Sequence, residues 1–416
     1  IYTLSLHDAL PIYELGEAMG YGQKLNPLIY PGVGRVECDG PSMIQTLYDT
    51  CKEAVASSGV DPKEIAAVSF DMFRCTMVTR DKNGGFTTPI IIWQDLRGAE
   101  MMPAMERMLA DHGMTTDDLY DLCGMPLGGV NPSTKLQWVK KHLPEAYGNA
   151  VRIHTMMGLM TKAFGAEDYY DDIDDTPWLQ LNGQDFQYSD KLCDAFDVDK
   201  SKLAPLKRCG EIIGEVSADV AEKTGLAVGT PLVMGTGDQQ IGCLANGCIP
   251  EGIGYYCGGT AGIAAGKSMQ FLRDPNRKCY VLGTPDGGYV MEGQANAAGS
   301  AFKWFRTEIC KSEDMAAQTI GMSVYDFLTH EARKSLPGSN GLFFLPYLQG
   351  ANTPHYEANA RGTLTGMTFA HTRADIVRAV MEGICFDARD MLDAMVAGNV
   401  PDYQTVRKFV DRKSVV

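Results

Sequence analysis

What the chain lacks most is a basic surface: 37 Lys and Arg face 52 Asp and Glu, a formal net charge of −15 over 416 residues. Without a basic stripe it cannot neutralise a nucleic-acid backbone, so DNA and RNA drop out as expected partners. An acidic protein can still hold a nucleotide through backbone donors and a metal ion. No apolar run approaches the ~18 residues that cross a bilayer and no signal peptide is evident, so a membrane is not an expected partner either. The 12 cysteines stand singly. Cys243 and Cys248 are the closest two, and no His or second Cys pair completes a zinc set. Reduced, buried thiols in a cytoplasmic protein are the expectation. Internal repeats and low-complexity linkers are also missing.

What is present is ordinary globular composition, 45% hydrophobic and 21% charged, in a chain too long for a single core. Two domains are therefore expected. Strand and helix signals alternate, which favours an α/β architecture. Helical spacing covers residues 42–56, 133–142, 154–164, 297–310 and 376–396. Residues 65–70, 89–93, 231–234, 254–257, 261–265 and 405–410 read as strands. Residues 341–346 read as a buried one. Ser217 is placed to cap a helix over 218–223, with Gly225 as its stop. The stretch 167–190 reads as loop with short strands. Its run Asp171-Asp172-Ile173-Asp174-Asp175 lacks the glycine and terminal glutamate of a calcium loop, so a solvated acidic face is expected there. The domain boundary is expected near 240–250.

Asp238 is the candidate catalytic residue. The short apolar run Thr230-Pro231-Leu232-Val233-Met234 leads into Gly235-Thr236-Gly237-Asp238-Gln239-Gln240. Polar groups at the carboxyl end of a buried strand occupy the crevice where α/β proteins bind ligands. Some twenty residues on, Gly258-Gly259-Thr260-Ala261-Gly262 can bring backbone N–H groups against phosphate. A base and a phosphate cradle together suggest phosphoryl transfer; a surface Asp in a β-turn and a plain hairpin are the competing readings. Gly262-Ile263-Ala264-Ala265-Gly266-Lys267-Ser268 imitates a P-loop, but only three residues separate its glycines where the loop needs four.

Three stretches resemble the FGGY carbohydrate kinases. They are Pro132-Ser133-Thr134-Lys135-Leu136-Gln137-Trp138-Val139, then residues 235–262, then 345–382. The last holds Leu345-Pro346-Tyr347-Leu348-Gln349-Gly350 and Asn359-Ala360-Arg361-Gly362. It runs on to Asp375-Ile376-Val377-Arg378-Ala379-Val380-Met381-Glu382, and from Gly362 to Glu382 it matches the family's second signature position by position. The resemblance covers about residues 13–410. It implies the two-lobed actin/hexokinase-type (ribonuclease H-like) ATPase fold, with a sugar-binding lobe over 13–242 and a nucleotide-binding lobe over 243–410.

It also implies ATP and Mg²⁺ as cofactors and a sugar or polyol as the small-molecule partner, and it suggests a homodimer. Asp238 would be the general base on the acceptor hydroxyl and a Mg²⁺ ligand, with Gln239 in the sugar site. Gly258, Gly259 and Thr260 match the turn on the ATP phosphates. Trp93, Asp95 and Arg97 match a Trp-x-Asp-x-Arg element that contacts sugar, though Trp93 also suits a core. Met72 and Phe73 fall where xylulokinases carry Met-His and glycerol kinases Arg-Glu, a departure that leaves the substrate open. Nearby Asp71 and Arg74 could contact hydroxyls or pair with each other.

A ketopentose such as xylulose is the leading substrate expected. Glycerol, to which Gly237-Asp238-Gln239-Gln240 points, a furanone, or a sugar-binding role without transfer are the alternatives. Residues 1–12 and 411–416 read as non-native. The family's Asp-x-Gly-Thr phosphate loop and glycine-rich adenosine motif are not found, so the chain is expected to be weak or inactive by itself.

Overall fold

A computed structural model describes residues 2–4, 8–11, 17–181, 185–248, 250–251, 253–357 and 359–397. The expected strand over 405–410 and the tail 411–416 lie outside the described residues, as do 1, 5–7 and 12 of the opening segment. The chain divides into two compact units, Ile1–Gly242 with Leu282–Gly287, and Cys243–Val281 with Gly288–Val416. The returning segment joins the first unit through the Gly283 N–H, which donates to the Ile173 carbonyl at 3.2 Å.

A six-stranded sheet organises the first unit, in the order Ile212–Glu215, Pro231–Gly237, Val68–Met72, Tyr2–Leu4, Asp8–Pro11 and Gly22–Gln23. Val68–Met72 runs parallel to both of its neighbours, and the remaining pairs are antiparallel. The helix Gly40–Ser58 covers this sheet. Asp39 caps it by accepting from the Ser42 N–H at 2.9 Å, and Gly59 ends it at φ 67°. Met43, Leu47, Cys51 and Ala54 recur at helical spacing and meet Val68, Phe70, Leu232 and Met234 in one core. Ser217 and Gly225 bound the helix Ala218–Thr224 as the sequence implies.

A second, antiparallel sheet of this unit joins Ile29–Gly32, Arg35–Cys38, Ile90–Ile91, Met77–Arg80 and Arg152–Thr155. Here the helix expected from residue 154 starts later. Thr155 ends the strand and caps Met156–Ala163 by accepting from the Gly158 N–H at 3.2 Å.

The acidic run is a correction. Asp171, Asp174 and Asp175 are buried, not a solvated face. The run is interleaved with Tyr170, Ile173, Trp178, Leu179 and Leu181, all buried, and their apolar surface carries the carboxyl groups inside. Tyr170–Asp171 pairs with Leu206–Lys207, and Asp175–Leu179 forms a helix.

In the second unit Gly254–Gly258, Gly262–Ser268 and Tyr289–Ala295 form consecutive antiparallel strands. The false P-loop is therefore a fully buried strand. The helix Arg373–Ala397 packs on this sheet through Met391 and Met395. Phe343–Leu345, expected to be buried, pairs with Thr363–Thr365 and exposes Phe343 and Leu345 while Phe344 alone is buried. Its period-2 alternation covers one face only.

Candidate active site

Two parallel strands end side by side, with Thr236 opposite Asp71 and Gly237 opposite Met72. Parallel neighbours present both carboxyl ends at one edge of the sheet, so Met72-Phe73-Arg74 and Asp238 emerge together. Glycine is required at two points of this edge. A Cβ on Gly235 would stand 1.5 Å from the Phe70 carbonyl oxygen. One on Gly237 would stand 2.6 Å from Gln240 Oε1, 2.8 Å from Asp174 Oδ2 and 2.9 Å from Arg74 Cδ. Between them, Thr236 donates its hydroxyl to the Asp171 carboxylate.

Asp238 begins the helix Asp238–Ala245, where the helix dipole attracts negative charge. Its Oδ1 lies 4.0 Å from Arg74 Nε, and its side chain keeps 30% of its surface exposed. Gln239 donates its side-chain amide to Asp238 Oδ2 at 3.1 Å. The candidate base is thus held by one charged and one neutral polar neighbour, without being sealed from solvent.

Met72, Phe73, Arg74 and Cys75 line a cavity in the first unit, closed on other sides by Thr155, Met156, Asp174, Asp175 and Trp178. Its empty space is about 190 Å³ with the solvent-open mouth included, a narrow cleft rather than an enclosed chamber. The Arg74 guanidinium lies over the Trp178 ring at 5.1 Å, a cation–π contact, and Trp178 Nε1 donates to Asp174 Oδ1 at 3.2 Å. Cys75 adopts φ 58°, a left-handed conformation that a non-glycine residue holds only under external constraint. Lys135 supplies one: its fully buried Nζ donates to the Cys75 carbonyl at 2.7 Å and the Ile92 carbonyl at 2.8 Å. Burial draws the Lys135 pKa down to about 8.

Electrostatics in the wall are unusual. Burial, and then the neighbouring carboxyl groups, push Asp171 and Asp175 well above the carboxylate range. Burial lifts Asp172 to about 6. Sequence reasoning missed Thr155, Asp174, Asp175 and Trp178 as cavity residues. The signal was the apolar residues alternating with the aspartates.

Of the other predicted site residues, Asp95 and Arg97 hold each other. Arg97 Nε donates to Asp95 Oδ1 at 2.8 Å and its Nη2 to Asp95 Oδ2 at 2.7 Å and Glu37 Oε1 at 2.5 Å. Asp95 also accepts from the Val36 N–H at 2.6 Å and is 0% exposed. Trp93 is half-buried on the same turn, next to the Ile92 carbonyl that Lys135 binds. In the second unit, Gly258, Gly259 and Thr260 form an exposed turn between two strands. The Gly299 N–H donates to the Gly259 carbonyl at 2.8 Å, and the Ala298 and Ser300 N–H groups to the Thr260 carbonyl. The entry of the helix Gly299–Trp304 thereby fixes the turn.

The N-terminal domain of the FGGY family of carbohydrate kinases matches residues 9–245, and its C-terminal domain residues 255–407. The chain belongs to the FGGY carbohydrate kinases. Its FGGY relatives include a glycerol kinase of Alkaliphilus oremlandii, 27% identical across 94% of this chain and 76% of its own. A xylulose kinase of Bacillus subtilis is 27% identical (92% and 74%), and a gluconokinase of the same organism 25% (89% and 70%). Among solved structures, ligand-bound xylulose kinase from Lactobacillus acidophilus superposes with a TM-score of 0.82. It is 22% identical and covers 95% of this chain and 77% of that one, a likeness of fold. The fold is the two-lobed α/β ATPase fold of FGGY kinases, and the activity class is phosphotransfer to a sugar or polyol.

Proposed function

We propose that the chain phosphorylates a hydroxyl of a ketopentose such as xylulose, with ATP as donor. The observation that carries this reading is Asp238 at the strand tip, 4.0 Å from an arginine that lines the small cavity, whose walls are as apolar as they are polar. Asp238 orients the acceptor hydroxyl and takes its proton as the oxygen bonds to the γ-phosphorus and ADP leaves. A positioned base of this kind contributes roughly 10²–10⁴ in rate. Phosphoryl transfer asks the protein chiefly to position groups and offset charge.

Met72, Phe73 and Arg74 form one wall of the acceptor site and Gln239 steadies the base. Trp93, Asp95 and Arg97 act at the rim, Asp95 and Arg97 by holding the turn that carries Trp93. In the second unit, the exposed turn at Gly258, Gly259 and Thr260 receives the nucleotide phosphates. Among the described residues, no three His, Cys, Asp or Glu side chains converge as a metal cage. Mg²⁺ needs none, since one or two carboxylates and the nucleotide phosphates hold it. Asp238 is the carboxylate that fits, and Mg²⁺ there would offset the phosphate charge.

The test is a coupled ADP-release assay over xylulose, ribulose, xylitol and glycerol. The reading expects the highest kcat/KM for a ketopentose, however slow the turnover; a higher kcat/KM for glycerol or xylitol would overturn it.

A further inference from the structure

We propose that the first-unit cavity selects uncharged polyhydroxylated acceptors and excludes aldonic acids, with Asp174 setting that selectivity. This deepens the sugar-kinase reading and rests on it. Two carboxyl groups, Asp174 and Asp175, line the cavity and Asp238 stands beside it, against a single cation, Arg74. Arg74 is already committed, its guanidinium over Trp178 and its Nε facing Asp238.

Gln240 gives the independent sign of a ligand. It is 1% exposed, and neither its amide oxygen nor its amide nitrogen has a hydrogen-bond partner among the described residues. Buried polar groups are rarely left so. Gln240 Oε1 and Asp174 Oδ2 both close on Gly237, 2.6 and 2.8 Å from where its Cβ would stand, so Gln240 sits against a carboxylate that lines the cavity. A hydroxyl can donate to one acceptor while accepting from an amide. A carboxylate offers no proton, so an aldonate would set unpaired negative charge against Asp174.

The buried wall points the same way. Asp171 and Asp175 are driven toward their neutral forms by burial and then by neighbouring carboxylates, Asp174 acting on both. A foreign carboxylate beside Asp174 would add to the same crowding of negative charge, and such repulsion is how specificity is commonly enforced.

Titration calorimetry on the full chain, without nucleotide, would compare xylulose and xylitol with gluconate. The expected result is gluconate at least tenfold weaker, with the gap falling below threefold in Asp174→Asn, which keeps an acceptor for Trp178. Equal affinities, a gap unchanged in Asp174→Asn, or no binding of any neutral sugar would overturn the proposal. Should Asp174→Asn lose its fold by circular dichroism, the unmutated comparison decides alone. Selective binding together with a higher kcat/KM for glycerol than for any ketopentose would instead sink the ketopentose reading and leave the selectivity standing.

Discussion

Thr236 donates its hydroxyl to the carboxylate of Asp171, sixty-five positions earlier in the chain. Because Thr236 stands two residues before Asp238, this bond ties the strand tip that carries the proposed base to the buried acidic segment. Thr236→Val keeps the shape and removes the donor. It is expected to cost about 1–3 kcal/mol, the range for an orphaned buried polar group, read as a lower urea midpoint. An unchanged midpoint would show that the bond does not matter to stability.

The two glycines before Asp238 should respond differently to alanine. At Gly235 the added carbon meets backbone, 1.5 Å from the Phe70 carbonyl oxygen, so the strands must part. Gly235→Ala is expected to destabilise by about 3 kcal/mol or more, as overpacking of a rigid site does. At Gly237 the carbon meets side chains of Gln240, Asp174 and Arg74, which can shift. Gly237→Ala should fold with little change in Tm yet bind sugar about tenfold more weakly. Parallel thermal and calorimetric titrations separate the two; equal loss of stability would refute the distinction.

Asp175 offers a pH test. Its folded pKa is raised, so the stability linked to its proton is fully present below the unfolded value of 3.8. That contribution is lost as pH rises through the folded value. Asp175→Asn removes the burden, and near pH 7 it should raise Tm by about 2–4 °C for each kcal/mol regained. The gain should shrink as pH falls toward 3.8. A gain that grows on acidification would reverse the assigned sign.

Arg97 tests whether the Trp-x-Asp-x-Arg element acts through structure. Arg97→Ala leaves Asp95 buried and unpaired and should cost about 3–5 kcal/mol. Arg97→Lys cannot reproduce the two-pronged contact and should recover only part of it. Full stability with weakened sugar binding in both variants would show direct contact with the acceptor instead.

The strand tip, the Gly-Gly-Thr hairpin and the helix capped by Ser217 were legible because each is written in neighbouring residues. Pro231–Gly237 is apolar then glycine-rich, and Ser217 and Gly225 bracket a helix by local chemistry. The acidic segment was not legible, since charge in a short window argues for solvent. Trp178 stacking under Arg74 and Ile173 packing beside Gly283 draw it inward, and both contacts are distant in sequence. Asp95 and Arg97 were legible as a motif, but their pairing with Glu37 and Val36 comes from tertiary structure. The exposed edges of Phe343–Leu345 were hidden because an apolar run does not say how many faces are covered.

Asp238→Asn, assayed for ADP release with a ketopentose and for sugar binding by calorimetry, probes the central claim most directly. The account predicts turnover at least 100-fold lower, within the range for a lost general base, and sugar affinity within about threefold of the parent. Turnover that survives the substitution unchanged would contradict it.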